Sequence, residues 1–595
     1  MNPSRLSLLT ALAALLGLVG GAAAWALLHL IGLITNLALY GRWSWVLPPT
    51  TALDPSPLIV LAAVLGGVVV AVMARAAPII RGHGIPEAME SVLTRQSRIT
   101  PLAALLKPLS AAVAIGTGGP FGAEGPIIVT GGAAGSLLGQ VIPVSPSERK
   151  ILLASGAAAG MCATFGAPLA SVVLAFELLL FEFSRRSLIP VATAAAVAGA
   201  MHLWLFGAGP LFRVPDHAFE GMSVLPAYAL LGLLCGLLAV VIARGLFAVE
   251  AGFRRLPIPQ FWHPAVGAVA FATVGLVVPR ALGVGYDVIN DLLVARLTLA
   301  TVASLLVAKL VAWWLALGSG TSGGTLAPIL IVGSAFGSVV ALAINDATPL
   351  QVSVTGFALV AMAATFGAAI GGSLTAIVFV FELTEDYRIV LPLILATVLA
   401  DLVASALLRE SIMTEKLSRR GLRVIREYRA DPFAQALVRD VMTIPAVSLP
   451  VGISVEAARR TMTEGRHSAY PLVDDEGRCR GIVSRTDLLV ADDEAVLADR
   501  VASRDVVTLR PEDSVARALE VIFDEAIEHV PVTDHDGRLI GMCTRTDILR
   551  ARHAVGADER RQPSQLLGDW HASRPFSRRA HIEARVNGSD PNDQA

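Results

Sequence analysis

The sequence predicts an all-α polytopic membrane protein followed by a C-terminal α/β region built from two tandem units. Three observations predict it. Of the 595 residues, 54% are hydrophobic and only 16% charged, where a soluble average would be about 25% charged. The excess is confined to residues 6–408, whereas 409–595 read like an ordinary soluble protein. Many apolar segments are short and broken by Gly or Pro, which is tolerated in lipid only where backbone is buried in protein or lines a cavity. The C-terminal region repeats itself with a period of 60 residues, each unit reading helix, strand, Asp/Gly turn, strand, helix.

The chain opens on the apolar run Leu6 to Leu39, too long for a signal-peptide core and expected to remain as a first helix. Thirteen further apolar segments follow, near 58–77, 101–115, 126–142, 149–165, 168–183, 188–206, 223–252, 263–282, 297–317, 327–344, 352–366, 373–384 and 388–408. Several cannot span about 30 Å at 1.5 Å per residue. Short, interrupted helices that aim their ends at the midplane are the mark of a transporter built from repeats.

An internal repeat is present. Ala163-Thr164-Phe165-Gly166-Ala167 recurs as Ala364-Thr365-Phe366-Gly367-Ala368, and Phe176-Glu177-Leu178 recurs as Phe381-Glu382-Leu383, with a four-residue insertion near 369–372 between the two matches. The halves are expected at about 55–210 and 220–408. The expected domains are a transmembrane domain over residues 1–425, soluble modules over 426–494 and 495–553, and a polar, disordered tail over 554–595.

Three glycine-rich loops punctuate the transmembrane domain: Arg81 to Glu87, Gly116 to Pro126 and Gly318 to Pro328. Each carries a Pro near the start of the next helix, where its missing N–H costs nothing. Glycine lets bare backbone approach a ligand, and a helix N-terminus is partly positive, so each loop is suited to an anion. Glu124 is an anion placed at one such terminus. Either it merely stabilises its helix, or it occupies an anion site as a tethered carboxylate that can swing away. In a membrane an ionisable side chain points to function.

Charge and cysteines narrow the field. A net charge of −1 offers no basic surface for nucleic acid. Cys162, Cys235, Cys479 and Cys543 lack metal-ligand spacing and are expected as free thiols, and no metal site is expected. Arg409, Lys416, Arg419, Arg420, Arg423 and Arg426 after the last apolar segment place that end in the cytoplasm by the positive-inside rule. A CBS-regulated cation transporter would want acidic clusters or carbonyl-lined sites, and an intramembrane enzyme a nucleophile–base or metal constellation; the chain offers helix N-termini and one acid instead, and catalytic residues are not expected.

On these motifs the chain resembles the CLC family of chloride channels and proton-coupled anion transporters, over about 15–551, with the C-terminal pair of CBS modules some members carry. Gly82-His83-Gly84-Ile85-Pro86, Gly122-Ala123-Glu124-Gly125-Pro126 and Gly324-Thr325-Leu326-Ala327-Pro328 are similar to the family's three anion-site motifs. The resemblance implies inverted repeats and a homodimer with one anion pathway per subunit. It also implies an integral multi-pass protein of the plasma (inner) membrane with both termini cytoplasmic. It makes Glu124 the external gating glutamate. It places His83, Gly84, Ile85, Gly122, Ala123, Gly125, Thr325, Leu326 and Met413 around the anion, and gives Lys107 a role in the potential along the path. A snorkelling lysine is the alternative at Lys107.

The departures from the family pattern are His83 for serine, Ala123 for the basic residue before the gate, Leu326 for phenylalanine and Met413 for tyrosine. Leu178 replaces the inner proton-transfer glutamate, with Glu177 beside it. They imply chloride or a related small anion moved in a channel-like or weakly proton-coupled way, with proton/anion antiport through Glu177 or water as the alternative. Glu177 and Glu382 would otherwise be helix-terminal acids satisfied by nearby N–H groups. In the CBS modules, Ser484 with Asp487 and Thr544 with Asp547 match the ribose-contact pattern of adenine-nucleotide sites; the same residues would serve equally as N-caps. No other cofactor is implied. Lys309 and Asp401 are charges within apolar segments that the motifs leave unassigned.

Overall fold

Gly and Pro set the ends of the elements in the computed structural model, which describes residues 3–212, 214–215, 221–422, 436–465, 467–490 and 506–550. The chain divides into two units, Met1–Tyr428 and Arg429–Ala595. The expected tail 554–595 and residues 426–435 and 495–505 lie outside the described residues.

The first apolar run is one helix, α1 (Pro3–Tyr40), about 57 Å long at 1.5 Å per residue. Then come α2 (Pro57–Ala76), α3 (Ile85–Thr94), α4 (Pro101–Gly116), α5 (Glu124–Val141), α6 (Pro146–Phe165), α7 (Pro168–Leu174, continuing as a π-helical turn Ala175–Leu180) and α8 (Arg185–Phe206). The second half holds α9 (Leu225–Arg254), α10 (His263–Val277), α11 (Tyr286–Leu293), α12 (Leu299–Gly318), α13 (Leu326–Ala347), α14 (Val354–Ile370), α15 (Ser373–Thr384) and α16 (Val390–Leu407). A short α17 (Glu415–Arg419) follows. Among the described residues eight helices are long and apolar enough to cross a membrane, and α4, α7, α14 and α15 are shorter apolar helices.

The two halves pack alike. α5 lies on α6 as α13 lies on α14; α8 lies on α1 and α6 as α16 lies on α9 and α14. This pairs α1 with α9. On this packing α1 stands in the first half as α9 does in the second. The long α1 hides the match in the sequence because lipid-facing helices share composition rather than motif. The four-residue insertion is one added helical turn: α6 stops at Phe165 against the left-handed Gly166, whereas α14 continues through Gly367 to Ile370 and stops at the left-handed Gly371. The added turn supplies the Ala369 carbonyl that accepts the N–H of Ile412 at 3.2 Å.

The second unit carries the 60-residue repeat as structure. Strands β1 (Leu449–Pro450), β2 (Ala469–Val473) and β3 (Cys479–Ser484) form one sheet, with β1 parallel and β3 antiparallel to β2. Strands β4 (His529–Thr533) and β5 (Leu539–Thr544) form the second, antiparallel sheet. Leu472 pairs with Gly481 and Val532 with Gly541, the same register one period apart. Each sheet is packed by an amphipathic helix, Val455–Glu464 or Val515–Asp524, that begins at a capping serine, Ser454 or Ser514. The two hairpin turns pair through Cys479 N–H to the Gly537 carbonyl at 3.0 Å and Leu539 N–H to the Gly477 carbonyl at 2.9 Å.

Candidate functional site

The three glycine-rich loops come together in the interior of the first unit. Gly122 and Gly324 exchange backbone hydrogen bonds of 3.3 and 3.0 Å. The Gly82 carbonyl accepts from Gly323 N–H at 3.4 Å, and Gly82 N–H donates to the Thr321 carbonyl at 3.4 Å. Ser110 Oγ donates to Ser322 Oγ at 3.1 Å, tying α4 to the third loop. Three helix N-termini, those of α3, α5 and α13, therefore open from one joined knot of backbone. Their first-turn N–H groups have no partner within their own helices.

Glu124 sits in the knot with none of its surface exposed. Its carboxylate lies where side chains on Gly122 and Gly324 would be: a Cβ on Gly324 would stand 3.0 Å from Oε2, and one on Gly122 would overlap the carboxylate outright. Oε1 accepts the phenol of Tyr286 at 2.8 Å. Among the described residues Oε2 has no hydrogen-bond partner, and the same holds for Thr325 Oγ1 and His83 Nδ1. Leaving a buried polar atom unpaired costs about 1–3 kcal/mol. Three such atoms lie on the three converging loops, where a polar guest would pair them.

His83 is 2% exposed, within electrostatic reach of Lys416, Glu87 and Lys107. Its carbonyl packs on Gly125 so closely that a Cβ at 125 would overlap it. Ile85, Ala123, Gly125, Thr325 and Leu326 are buried at the three helix starts. Met413 is buried as well, its N–H bonded to Ser411 Oγ at 3.3 Å. Two expected anion ligands are otherwise engaged. The N–H of Gly84 donates to Glu87 Oε2 at 2.7 Å, a capping arrangement at the start of α3, and the N–H of Gly122 is taken by Gly324. Glu87 in turn pairs with Lys416 at 3.3 Å.

Lys107 does not snorkel. It is 2% exposed, and its Nζ donates to the carbonyls of Ile80 and Gly82 at 2.8 Å each. Lys309, unassigned in the sequence, repeats this arrangement in the other half: its Nζ donates to the Gly283 carbonyl at 2.9 Å. Each lysine stands nine residues before the end of its helix, α4 or α12, and each reaches a Gly-x-Gly loop, Gly82-His83-Gly84 or Gly283-Val284-Gly285. Sequence reasoning missed the second loop, and with it Tyr286, because no proline or family motif marks it; superposing the two Gly-x-Gly loops would have found both. Asp401 is only half-buried.

Glu177 and Glu382 are caps. Glu177 accepts the N–H of Leu374 and of Thr375 at 3.3 and 2.8 Å and the Thr375 hydroxyl at 2.5 Å. Glu382 accepts the N–H of Leu169 and Ala170 at 2.9 and 2.7 Å. Of the flanking cations, Arg420 pairs with Glu90 and Arg419 with Glu415 and Glu250.

In the second unit the capping geometry is present at both modules. Asp487 Oδ2 accepts the N–H and hydroxyl of Ser484 at 2.7 and 2.8 Å, and Asp547 Oδ2 those of Thr544 at 3.1 and 2.7 Å. Beside Asp547 lies a cavity of about 410 Å³ lined by His467, His529, Thr544, Arg545 and Arg550 among others, and Asp547 Oδ1 accepts the Thr443 hydroxyl at 3.3 Å. His529 is half-buried, and burial holds its imidazole below the usual histidine range.

A family model described as voltage gated chloride channel matches residues 65–405, and the CBS domain model matches 438–494 and 498–554. A putative chloride channel protein ClcB-like of Ralstonia nicotianae is 31% identical over 345 residues, covering 56% of this chain and 80% of that protein. Chloride channel protein CLC-f of Arabidopsis thaliana is 26% identical over 631 residues, covering 89% and 80%. An H(+)/Cl(-) exchange transporter ClcA of Vibrio parahaemolyticus is 30% identical over 357 residues, covering 58% and 76%. Among solved structures, a slow cyanobacterial Cl-/H+ antiporter superposes with a TM-score of 0.61 at 24% identity, covering 71% of this chain and 98% of its own. A eukaryotic CLC transporter gives 0.58 at 19% identity, covering 91% and 97%. These two share the fold. With its converging loops, matched halves and paired C-terminal modules, the chain is an integral, multi-pass membrane protein that belongs to the voltage gated chloride channel (CLC) family of anion transporters and carries two CBS domains.

Proposed function

We propose that this protein moves chloride or a related small anion through one pathway in each subunit of a homodimer, with Glu124 as the gate. The observation that carries the reading is the Glu124 carboxylate, fully buried on bare glycine backbone with Oε2 unpaired, in the knot where Thr325 Oγ1 and His83 Nδ1 are also unpaired. The carboxylate is an anion in an anion's seat. The anion takes its place there, held by the helix starts at Ile85, Ala123–Gly125 and Thr325–Leu326, with His83 and Met413 on its flanks. Lys107 fixes the first loop and contributes positive potential. The protein sits in the plasma (inner) membrane with both termini cytoplasmic, the cations after α16 setting the orientation.

Transport is channel-like or weakly coupled to protons. Leu178, where the family's inner proton-transfer glutamate would stand, is buried and apolar, and Glu177 is engaged in capping α15. Proton/anion antiport is the second reading, favoured by the similarity to a relative named as an H(+)/Cl(-) exchange transporter. The test is purified protein in liposomes, with anion flux and internal pH recorded together. Uphill proton movement driven by a chloride gradient would establish the exchanger. The CBS pair regulates transport, and an adenine nucleotide fits the cavity beside Asp547, where hydroxyl, carboxylate and Arg545 and Arg550 converge.

A further inference from the structure

We propose that Tyr286 is a positioning residue for the gate. Its phenol holds the Glu124 carboxylate in the anion pathway, and breaking that hydrogen bond is the step that releases the carboxylate. The inference rests on the reading of Glu124 as the gate.

The phenol is the side-chain donor to Glu124, at 2.8 Å, and it comes from 162 residues away in the other half of the molecule. Everything around Tyr286 fixes where that donor stands. Gly285 takes a left-handed conformation, φ +78°, that turns the chain into α11 and puts Tyr286 at its first position. The loop before it is tied at both ends. Lys309 holds the Gly283 carbonyl, and Gly283 N–H donates to the Gly118 carbonyl at 3.3 Å, in the same loop that carries Glu124. On the other side Asp287 Oδ2 accepts both the N–H and the hydroxyl of Thr50 at 2.7 Å. The ring itself is wedged by the edges of Phe165 and Phe212, each with centroids 6.3 Å away.

Two features suit this residue to a moving partner. A hydrogen bond to a carboxylate is roughly twice as strong as one between neutral groups, so it tightens when Glu124 is charged and slackens when Glu124 is protonated. Release is thereby tied to the protonation of the acid. Tyr286 also lines a cavity of about 250 Å³ between the loop after α1 and the Gly283–Asp287 loop, with Thr35, Tyr40, Pro49 and Ile115 among others. That cavity offers space beside Tyr286, whereas Phe165 and Phe212 pack on its ring.

The test compares chloride efflux from liposomes for full-length wild type, Tyr286→Phe, Glu124→Ala and the double variant at neutral pH. Phe keeps the ring and removes only the donor. Tyr286→Phe is expected to raise flux roughly ten-fold, the lower end of what a hydrogen bond to a charged group contributes. Glu124→Ala should raise it at least as far, and Tyr286→Phe should add nothing in the Glu124→Ala background. Wild-type flux in Tyr286→Phe, alongside raised flux in Glu124→Ala, overturns the latch and leaves the gate standing. An equal effect in both backgrounds overturns it too, since Tyr286 would then act through packing. Unchanged flux in Glu124→Ala removes the gate and the latch together. If Tyr286→Phe is not recovered folded, Asp287→Ala serves, because it leaves the phenol and unties its loop from Thr50. A rise in flux that depends on Glu124 supports the proposal, and no rise overturns it.

Discussion

Glu177 Oε2 accepts the N–H of Thr375 at 2.8 Å and so caps a helix of the opposite half, α15; Glu382 returns the arrangement by capping α7 through Leu169 and Ala170. Each matched Phe-Glu-Leu end of one half thus satisfies the exposed N–H groups of the other. A carboxylate holding three hydrogen bonds is poorly placed to shuttle protons. Glu177→Gln is expected to leave the ratio of proton to anion movement at its wild-type value, whereas Glu177→Ala should cost about 1–2 kcal/mol of stability through the lost cap. Loss of proton coupling in Glu177→Gln, with an unchanged melting temperature, would contradict this.

At the gate, an ionisable side chain is required to exchange places with an anion and carry a proton. Glu124→Gln and Glu124→Ala are each expected to abolish proton movement driven by an anion gradient while anion flux continues. Simultaneous recording of internal pH and chloride in liposomes decides it, and proton pumping that survives in Glu124→Ala would rule out the assignment.

In the proposed pathway His83 would supply an imidazole where a hydroxyl would otherwise meet the anion. His83→Ser is expected to change the relative flux of chloride, nitrate and fluoride by several-fold, because a ring N–H and a hydroxyl differ in reach and in the charge they can carry. Identical selectivity in the variant and the wild type would remove His83 from the anion's surroundings.

In the CBS pair Asp547 adjoins a cavity that His467, His529, Arg545 and Arg550 also line. Binding of ATP, ADP or AMP to the full-length protein, followed by equilibrium dialysis, is expected to be weakened at least ten-fold by Asp547→Ala and much less by Asp487→Ala. Equal losses from the two would mean that the capping role, common to both, is all that either residue serves.

The pH dependence of the same region follows from His529. Burial lowers its pKa, outweighing the acids Glu528 and Asp547, so the unfolded chain takes up its proton first as pH falls. Stability of the second unit is therefore full above the unfolded value of about 6.5 and declines as pH drops from there toward the lower folded value. His529→Gln should flatten that acid limb in thermal melts of the full-length protein. An unchanged slope between about pH 6.5 and 5 would mean that another group governs it.

How much of this was legible in the chain depended on whether the signal was local. Pro and Gly mark helix ends within a residue or two, so the apolar segments and the three anion loops could be placed directly. The 60-residue period fixed the register of both CBS hairpins. The functions of Lys309 and Tyr286 were not legible locally, because each acts on a backbone or side-chain atom far away, 26 residues off for Lys309 and 162 for Tyr286. Lys107 and Lys309 are a matched pair only once the halves are superposed. Gly84 and Gly122 read as ligands because their loops resemble anion sites; that Glu87 and Gly324 consume their N–H groups is a consequence of packing that spacing alone does not reveal.

The seat of Glu124 is walled by main chain at Gly122 and Gly324, with no room for a Cβ at either. A binding surface of that kind is insulated from sequence drift, because side-chain replacement cannot delete a peptide group. In the proposed pathway the positions around it, His83, Ala123, Leu326 and Met413, would contribute side chains, and replacing them would leave the backbone seat intact. On that proposal, heritable change in which anion is preferred would accumulate at those four, one at a time, while the two glycines admit no intermediate. The molecule separates what must stay fixed for any anion to bind from what can be tuned toward a particular one.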